Sequence, residues 1–290
     1  MPNRRHILFA TYAGQPDITD DDRLLADALA RRELVVRGAR WDDASAEWGR
    51  AVSVIVRSTW DYHRRRDEFL EWTERVAAQT ALYNTPPVIR WNSHKSYIAE
   101  LGARGIPVID TVFAKAGSCT DVAALATTHR WHDIVIKPAV SASAYETAFF
   151  SAGDREASQA HLDRLLAMGD AMLQPHLATL AEQGELSLLF GDGQFTHAVR
   201  RRSALSSDGR LPRSAATAAN PDAVRFAERV LREAGALTRP GEVPLYARVD
   251  LAEMAEGYQL LELELIEPSM FFLHAPHAAD RVADALVSRL

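Results

Sequence analysis

Two short segments near the C-terminus constrain the fold more than any others. They are 245–251 (LYARVDL) and 260–266 (LLELELI). Successive side chains of a strand point to opposite faces. Tyr246, Arg248 and Asp250 therefore share one face, and Leu245, Ala247, Val249 and Leu251 the other. In the second segment Glu262 and Glu264 share a face with Leu260 and Ile266, while Leu261, Leu263 and Leu265 fill the opposite one. A turn around 255–257 pairs the two as a hairpin and brings Asp250 opposite the glutamates. Three carboxylates on one sheet face repel one another unless a cation sits among them. Oxygen-only ligands select a hard ion, and Mg²⁺ takes one or two carboxylates plus substrate phosphates. The alternative is a solvated strand face. Leu260, Ile266 and the following run Glu267-Pro268-Ser269-Met270-Phe271-Phe272 are too apolar for an open surface.

The rest of the chain alternates strands and helices. Residues 6–12, 34–37 and 51–57 read as strands, with amphipathic helical spacing around 24–29 and over 66–78. This alternation predicts a parallel α/β unit ending at Asn84-Thr85-Pro86-Pro87. Beyond it the periodicity predicts helices at 93–104, 154–168, 222–236 and 278–290. Strands are expected at 107–114, 133–138, 186–190, 194–200, 244–251 and 258–266, with a hairpin turn at Gly191-Asp192-Gly193. The expected organisation is an N-terminal α/β domain (1–87), a small central domain (88–170) and a β-rich C-terminal domain (171–290). The Ala/Ser-rich stretch 203–219 reads as a mobile loop.

Composition excludes several classes. Thirty-three basic against thirty-nine acidic residues give a net charge of −6, which argues against a nucleic-acid binder. Cys119 is the only cysteine, so no intrachain disulfide or CxxC site exists. The apolar run 7–10 is too short for a signal segment, and no stretch has the length of a membrane span. The expectation is a soluble cytoplasmic protein. The pairs His129/His132 and His274/His277 carry no zinc signature.

Two lysines stand where anions bind. Lys137 ends the apolar strand Ile134-Val135-Ile136 and precedes a small-residue loop, a position suited to a phosphate. Lys95 falls in the first turn of the 93–104 helix, where backbone amides and ammonium act together. There is no GxxxxGK[ST] motif.

In chain order these features are Lys95, Lys137, Gln174-Pro175-His176-Leu177, Gly184-Glu185, Arg248-Val249-Asp250 and Glu262-Leu263-Glu264. That order resembles the ATP-grasp superfamily, in the branch of glutathione synthetase, D-alanine–D-alanine ligase and RimK-type ligases. The match covers about residues 88–290, and the preceding unit resembles the superfamily's N-terminal domain. The resemblance implies an ATP-grasp α/β architecture whose central domain is a lid, with ATP and Mg²⁺ as cofactors. It implies that Lys95 and Lys137 hold phosphates, with Ser141 and Ser143 adding contacts. Gln174, Pro175, His176 and Leu177 would line the adenine slot, and Glu185 would bind ribose. Asp250, Glu262 and Glu264 would hold the metal, with Arg248 and Arg200 beside the transferring phosphoryl group. Two departures stand out: the loop 138–147 (PAVSASAYET) contains no glycine, and Glu264 stands where many relatives have Asn.

Arg57-Ser58-Thr59-Trp60-Asp61-Tyr62 follows a buried strand, at the end where open α/β sheets bind ligands. An arginine, two hydroxyls and two aromatics suit a small zwitterion, and Ser269 joins them in the expected substrate site. The alternative makes Trp60 a packing anchor and Asp61 a helix cap. RSTWDY, with VIRWN (88–92) and KPAVS (137–141), is similar to the ATP-grasp cyclo-ligases of cycloserine biosynthesis. The expected activity is a ligase that phosphorylates an oxygen of an amino-acid-like small molecule and forms an amide-type bond, ring-closing if the narrower resemblance holds. A small-molecule kinase and an inactive nucleotide-binding protein, both on this fold, stay open. Met270, Phe271 and Phe272 suit either a core or a homodimer interface.

Overall fold

A computed structural model describes residues 5–202 and 214–290. The first unit holds β1 (Arg5–Thr11), α1 (Asp20–Ala30), β2 (Leu34–Arg40), β3 (Ser53–Val56), α2 (Arg66–Ala77) and β4 (Ala81–Tyr83). Its strands form a parallel sheet in the order β2-β1-β3-β4. Every residue of β3 is buried, as expected of a parallel strand covered on both faces. Thr19 caps α1 by accepting from the Asp22 amide, and Asp20, Asp21 and Asp22 fill its positive first turn.

The helix expected at 93–104 forms as α4 (Tyr97–Ala103), and a short helix not expected from periodicity, α3 (Pro86–Asn92), precedes it. The break between them holds Lys95, whose amide donates to the Ala139 carbonyl at 2.8 Å. Lys95 thus precedes α4 instead of lying in a first helical turn. α3 and α4 pack on the C-terminal sheet through Val88, Tyr97, Ile98 and Leu101, although they fall in the segment assigned to the central domain.

The central unit contains β5 (Val112–Ala114), α5 (Val122–His129), β6 (Ile134–Pro138), β7 (Ala148–Phe150), α6 (Arg155–Leu166) and β8 (Ala171–Pro175). Its antiparallel sheet runs β5-β8-β6-β7. β8 was not expected from periodicity, and it places Gln174 in an inner strand of this sheet. Of the strand expected at 107–114, only 112–114 forms one. Residues 107–109 instead line the edge of the last hairpin, with the Leu260 amide donating to the Pro107 carbonyl.

After α7 (Ala178–Gln183), the C-terminal unit holds β9 (Glu185–Gly191), β10 (Gln194–Arg201), β11 (Ser214–Thr217), α8 (Pro221–Thr238), β12 (Tyr246–Met254), β13 (Gly257–Glu264) and α9 (His277–Val287). Its sheet is antiparallel, ordered β11-β10-β9-β12-β13. One face packs α3, α4 and α8. The other meets α9, α1 and the first sheet in a continuous core that includes Ile7, Phe9, Leu189, Met270 and Phe272. Met270 and Phe272 are therefore core residues. The mobile loop expected at 203–219 differs at its end, where 214–217 pair with β10 as an edge strand. Residues 203–213 lie outside the described ones.

The first and last units are bolted together by polar side chains. Asn84 donates to the Tyr246 and Leu265 carbonyls and accepts from the Leu245 amide. Tyr246 Oη lies 2.7 Å from the Val56 carbonyl. Buried edges must satisfy their backbone groups, and these side chains do so where the two units meet.

Candidate functional site

The hairpin β12–β13 forms as its alternation requires, with Asp250 opposite Glu262 and Arg248 opposite Glu264. A bulge between Asp250 and Leu251 changes one detail. A bulge re-aims the side chains beyond it. Leu260, not Leu261, enters the core with Leu263 and Leu265, and Leu261 turns into a small cleft described below. Ile266 leaves the acidic face for the core of the first unit. Asn92 braces the free edge of β13 by donating to Leu263 and accepting from the Leu265 amide.

Asp250, Glu262 and Glu264 bring one carboxylate oxygen each within 4.8 Å of one another. Asp250 is 1 % exposed and is held by Arg248, by Arg201 at 2.8 Å and by Ser187 at 2.6 Å. Glu262 is bonded by Lys95, and Glu264 by Arg248. Their side chains keep 26 % and 27 % of their surface open, facing a cavity of about 470 Å³. Burial acts against ionisation throughout this cluster, and the neighbours decide the outcome. Lys95 and Lys137 overcome it at Glu262, whose pKa is lowered, and Arg201 and Arg248 do the same for Asp250. At Glu264 burial, with the charges of Glu262 and Asp250, outweighs Arg248 and pushes the carboxyl up to about 7. A carboxyl poised there, beside two ionised ones, is what a divalent cation would stabilise, so the donor set fits Mg²⁺.

Lys137 lines the same cavity, with Ser141, Ser143 and Ser269. Burial and the Lys95 charge lower its pKa. A narrower cleft of about 100 Å³ adjoins it and shares Lys137, Thr147, Glu185 and Glu262 with the larger chamber. Gln174, Pro175, His176 and Leu177 all line this cleft, with Ile109, Val135 and Leu261 adding apolar walls. Glu185 stands at the seam, bonded by Arg201 at 2.6 Å. An apolar slot opening into a cationic chamber with an acidic floor has the shape and charge to take a nucleotide.

Several expected residues lie elsewhere. Arg200 faces away from the chamber and pairs with Glu253; Arg201 takes the position at the site. The cause is a bulge between Phe195 and His197. Phe190 pairs with Phe195, and continuing that count would set Glu185 opposite Arg200, but the extra residue sets it opposite Arg201. Arg57 is 2 % exposed and bonds Asp22 and the Pro268 carbonyl, tying α1 to the segment after β13. Ser58 and Thr59 are buried beside it, and none of the three lines the chamber. Asp61 accepts from the Trp41 indole at 2.9 Å. Of the segment 57–62 only its two aromatics, Trp60 and Tyr62, line the chamber, joined by Glu267, which sequence reasoning missed.

The loop 139–147 lines the chamber and does so without a glycine. Ser143, Ala144 and Glu146 adopt φ between 51° and 55°, conformations that cost an L-residue about 1–2 kcal/mol each. Tyr145 sits 4.8 Å from the His63 ring and beneath Arg64, which anchors the loop to the first unit.

Comparison with known proteins agrees with this geometry. A family model described as the N-terminal domain of D-cycloserine synthetase DcsG matches residues 7–84. The cycloserine biosynthesis protein DcsG of Streptomyces lavendulae is 34% identical over 262 residues, covering 86% of this chain and 87% of that protein. The chain belongs to the DcsG family of ATP-grasp ligases. A crystal structure of D-cycloserine synthetase DcsG superposes with a TM-score of 0.90 at 31% identity, covering 98% of this chain and 99% of that one. A D-alanine–D-alanine ligase from Bacillus anthracis, complexed with ATP, shares the fold at a TM-score of 0.69 and 10% identity, covering 98% and 96% of the two chains. The ATP-grasp ligase described here thus carries its acidic hairpin and lysines on the expected fold. Among its described residues no helix is long and apolar enough to cross a membrane.

Proposed function

We propose that this ATP-grasp ligase uses ATP and Mg²⁺ to phosphorylate a carboxylate or carbonyl oxygen of an amino-acid-like small molecule. A nitrogen of the same molecule then attacks the activated carbon, phosphate leaves, and an amide-type ring closes. The observation that carries this reading is one chamber in which Asp250, Glu262 and Glu264 face Lys95, Lys137, Arg201 and Arg248 beside an apolar slot. Phosphoryl transfer needs positioning and charge stabilisation more than covalent help from the protein.

Gln174 to Leu177, with Leu261, take the base, and Glu185 lies at the seam where the ribose follows. Lys95 and Lys137 bind the phosphates. Arg248 and Arg201 stand beside the group in transit, each already oriented by Asp250. Asp250, Glu262 and Glu264 hold Mg²⁺, which when bound neutralises charge on the phosphate oxygens. The loop 139–147 excludes water, so that the activated oxygen is not hydrolysed before the nitrogen attacks. The choice of an amino-acid-like substrate and of ring closure is supported by the 34% identity to a cycloserine biosynthesis protein.

The test is ADP and phosphate release from Mg-ATP across a panel of amino acids and their derivatives, O-ureidoserine among them, with mass spectrometry of products. ADP and phosphate appearing in step with a cyclised product support the reading. A stable phosphorylated product would make the protein a kinase, and absence of Mg-ATP binding by calorimetry would refute the nucleotide site.

A further inference from the structure

Each carboxylate in the acidic cluster of the chamber is bonded to a cation. Asp250 and Glu185 meet Arg201, Glu264 meets Arg248, and Glu262 meets Lys95. Glu267 also lines the chamber, yet among the described residues no cation lies within ion-pair distance of its carboxylate. It sits just past β13, away from the slot that takes the base, and its neighbours in the wall are Trp60, Tyr62 and Ser269. The Trp60 indole donates to the Glu267 carbonyl at 3.3 Å, which fixes ring and backbone against each other. Glu267 is half-buried in the chamber wall, and an unpaired carboxyl in such a place gains from a partner that arrives. Burial, and then the charge of Glu264, hold it well above the usual carboxylate range. A carboxyl that shares a chamber wall with aromatic rings is the chemistry that receives an ammonium, through charge and cation–π attraction together.

Resting on the function proposed above, we propose that Glu267 is the counter-ion for a primary ammonium on the substrate, with Trp60 and Tyr62 as the walls of that subsite. Mg-ADP and the ring that closes then occupy opposite ends of one chamber. The amino group is held while the oxygen to be phosphorylated lies toward Arg201 and Arg248. Specificity follows from pairing: a site built around a hydrogen-bonding group rejects the analogue that lacks its partner.

The test is calorimetry on the Mg-ADP-bound protein with two probes, cycloserine and isoxazolidin-3-one, the same ring without the amino group. The wild type should prefer cycloserine by about tenfold or more. In Glu267→Gln that preference should fall to within about twofold while Mg-ADP affinity holds, which shows that the fold is intact. Should Glu267→Gln fail to bind Mg-ADP, Glu267→Asp replaces it. Its withdrawn carboxylate should cut the preference about threefold or more, and an unchanged preference overturns the inference. Equal binding of both rings by the wild type, or a preference that survives Glu267→Gln, overturns the ammonium subsite alone. Binding of neither ring, with Mg-ADP still bound, overturns the substrate class and the subsite with it.

Discussion

Replacing Arg201 should cost far more than replacing its neighbour Arg200, because adjacent strand residues face opposite sides of the sheet and the bulge after Phe195 turns Arg201 to the chamber. Arg201 donates to Glu185 at 2.6 Å, to Ser187 at 2.8 Å and to Asp250 at 2.8 Å. At an effective dielectric of about 20, each charge contact is worth about 4 kcal/mol before desolvation. Removing one partner from a buried pair costs about 3–5 kcal/mol net. Arg201 keeps 25 % of its side chain exposed but its partner Asp250 only 1 %, so the lower end, about 3 kcal/mol, applies to Arg201→Ala. Arg200 and Glu253 are 29 % and 30 % exposed, and a pair in which neither partner is buried contributes about 1 kcal/mol or less. Urea unfolding of the ligand-free protein should separate the variants by about 2 kcal/mol. ADP release should fall about 100-fold in Arg201→Ala, the scale of losing one preorganised donor, and change less than about threefold in Arg200→Ala. Equal losses in the two variants, or the larger loss at Arg200, would refute the assignment of faces and with it the role of Arg201.

Other expectations follow from the same site. Lys137 makes no ion pair among the described residues, so Lys137→Ala should cut turnover about 100-fold or more while the melting temperature stays unchanged; near-normal turnover would remove it from the phosphate site. Glu264 titrates at about 7 without metal, so Mg²⁺ must displace its proton below that pH, and apparent affinity should rise from about pH 6 and level off above about pH 8. Calorimetry of Mg²⁺ binding in two buffers of different ionisation enthalpy should show proton release near pH 6.5 that disappears in Glu264→Gln, and a buffer-independent heat in the wild type would contradict this. Gly184 has φ +77°, and a Cβ there would lie 2.3 Å from the Arg201 carbonyl. Gly184→Ala should therefore destabilise the protein by about 2 kcal/mol or more, read by chemical denaturation, and a neutral substitution would contradict the close approach of β9 and β10.

Much of the site was legible because strand alternation is a strict rule. Asp250, Glu262 and Glu264 converge as their spacing requires, and Lys137 stands at the end of its strand facing them. What periodicity missed, it missed for local reasons. Bulges reset the count at Leu261 and at Arg201, and nothing in composition marks an inserted residue. The helix expected from 93 starts only at Tyr97, because the Lys95 amide is taken by the Ala139 carbonyl, and that partner is distant in sequence. Arg57 has the composition of a ligand-binding residue but is spent on Asp22 and Pro268. The chemistry of a guanidinium does not reveal whether its anion comes from solution or from the same chain.

The end of β10 has a property that its bulge makes consequential. Ala198, Val199, Arg200 and Arg201 read as two small apolar residues followed by two identical cations. Sliding this stretch one position toward the strand's end exchanges like for like at two places, Ala198 for Val199 and Arg200 for Arg201, and leaves a guanidinium at the chamber. The cost falls elsewhere: Val199 moves to the half-buried place of Arg200, and His197 enters the buried place of Ala198. A slip in the other direction would bury Arg200 where Val199 now packs, so burial forbids it more firmly. A one-residue insertion upstream of the strand would therefore cost stability before it cost the cation beside the reaction centre, and a deletion would not be tolerated in the same way.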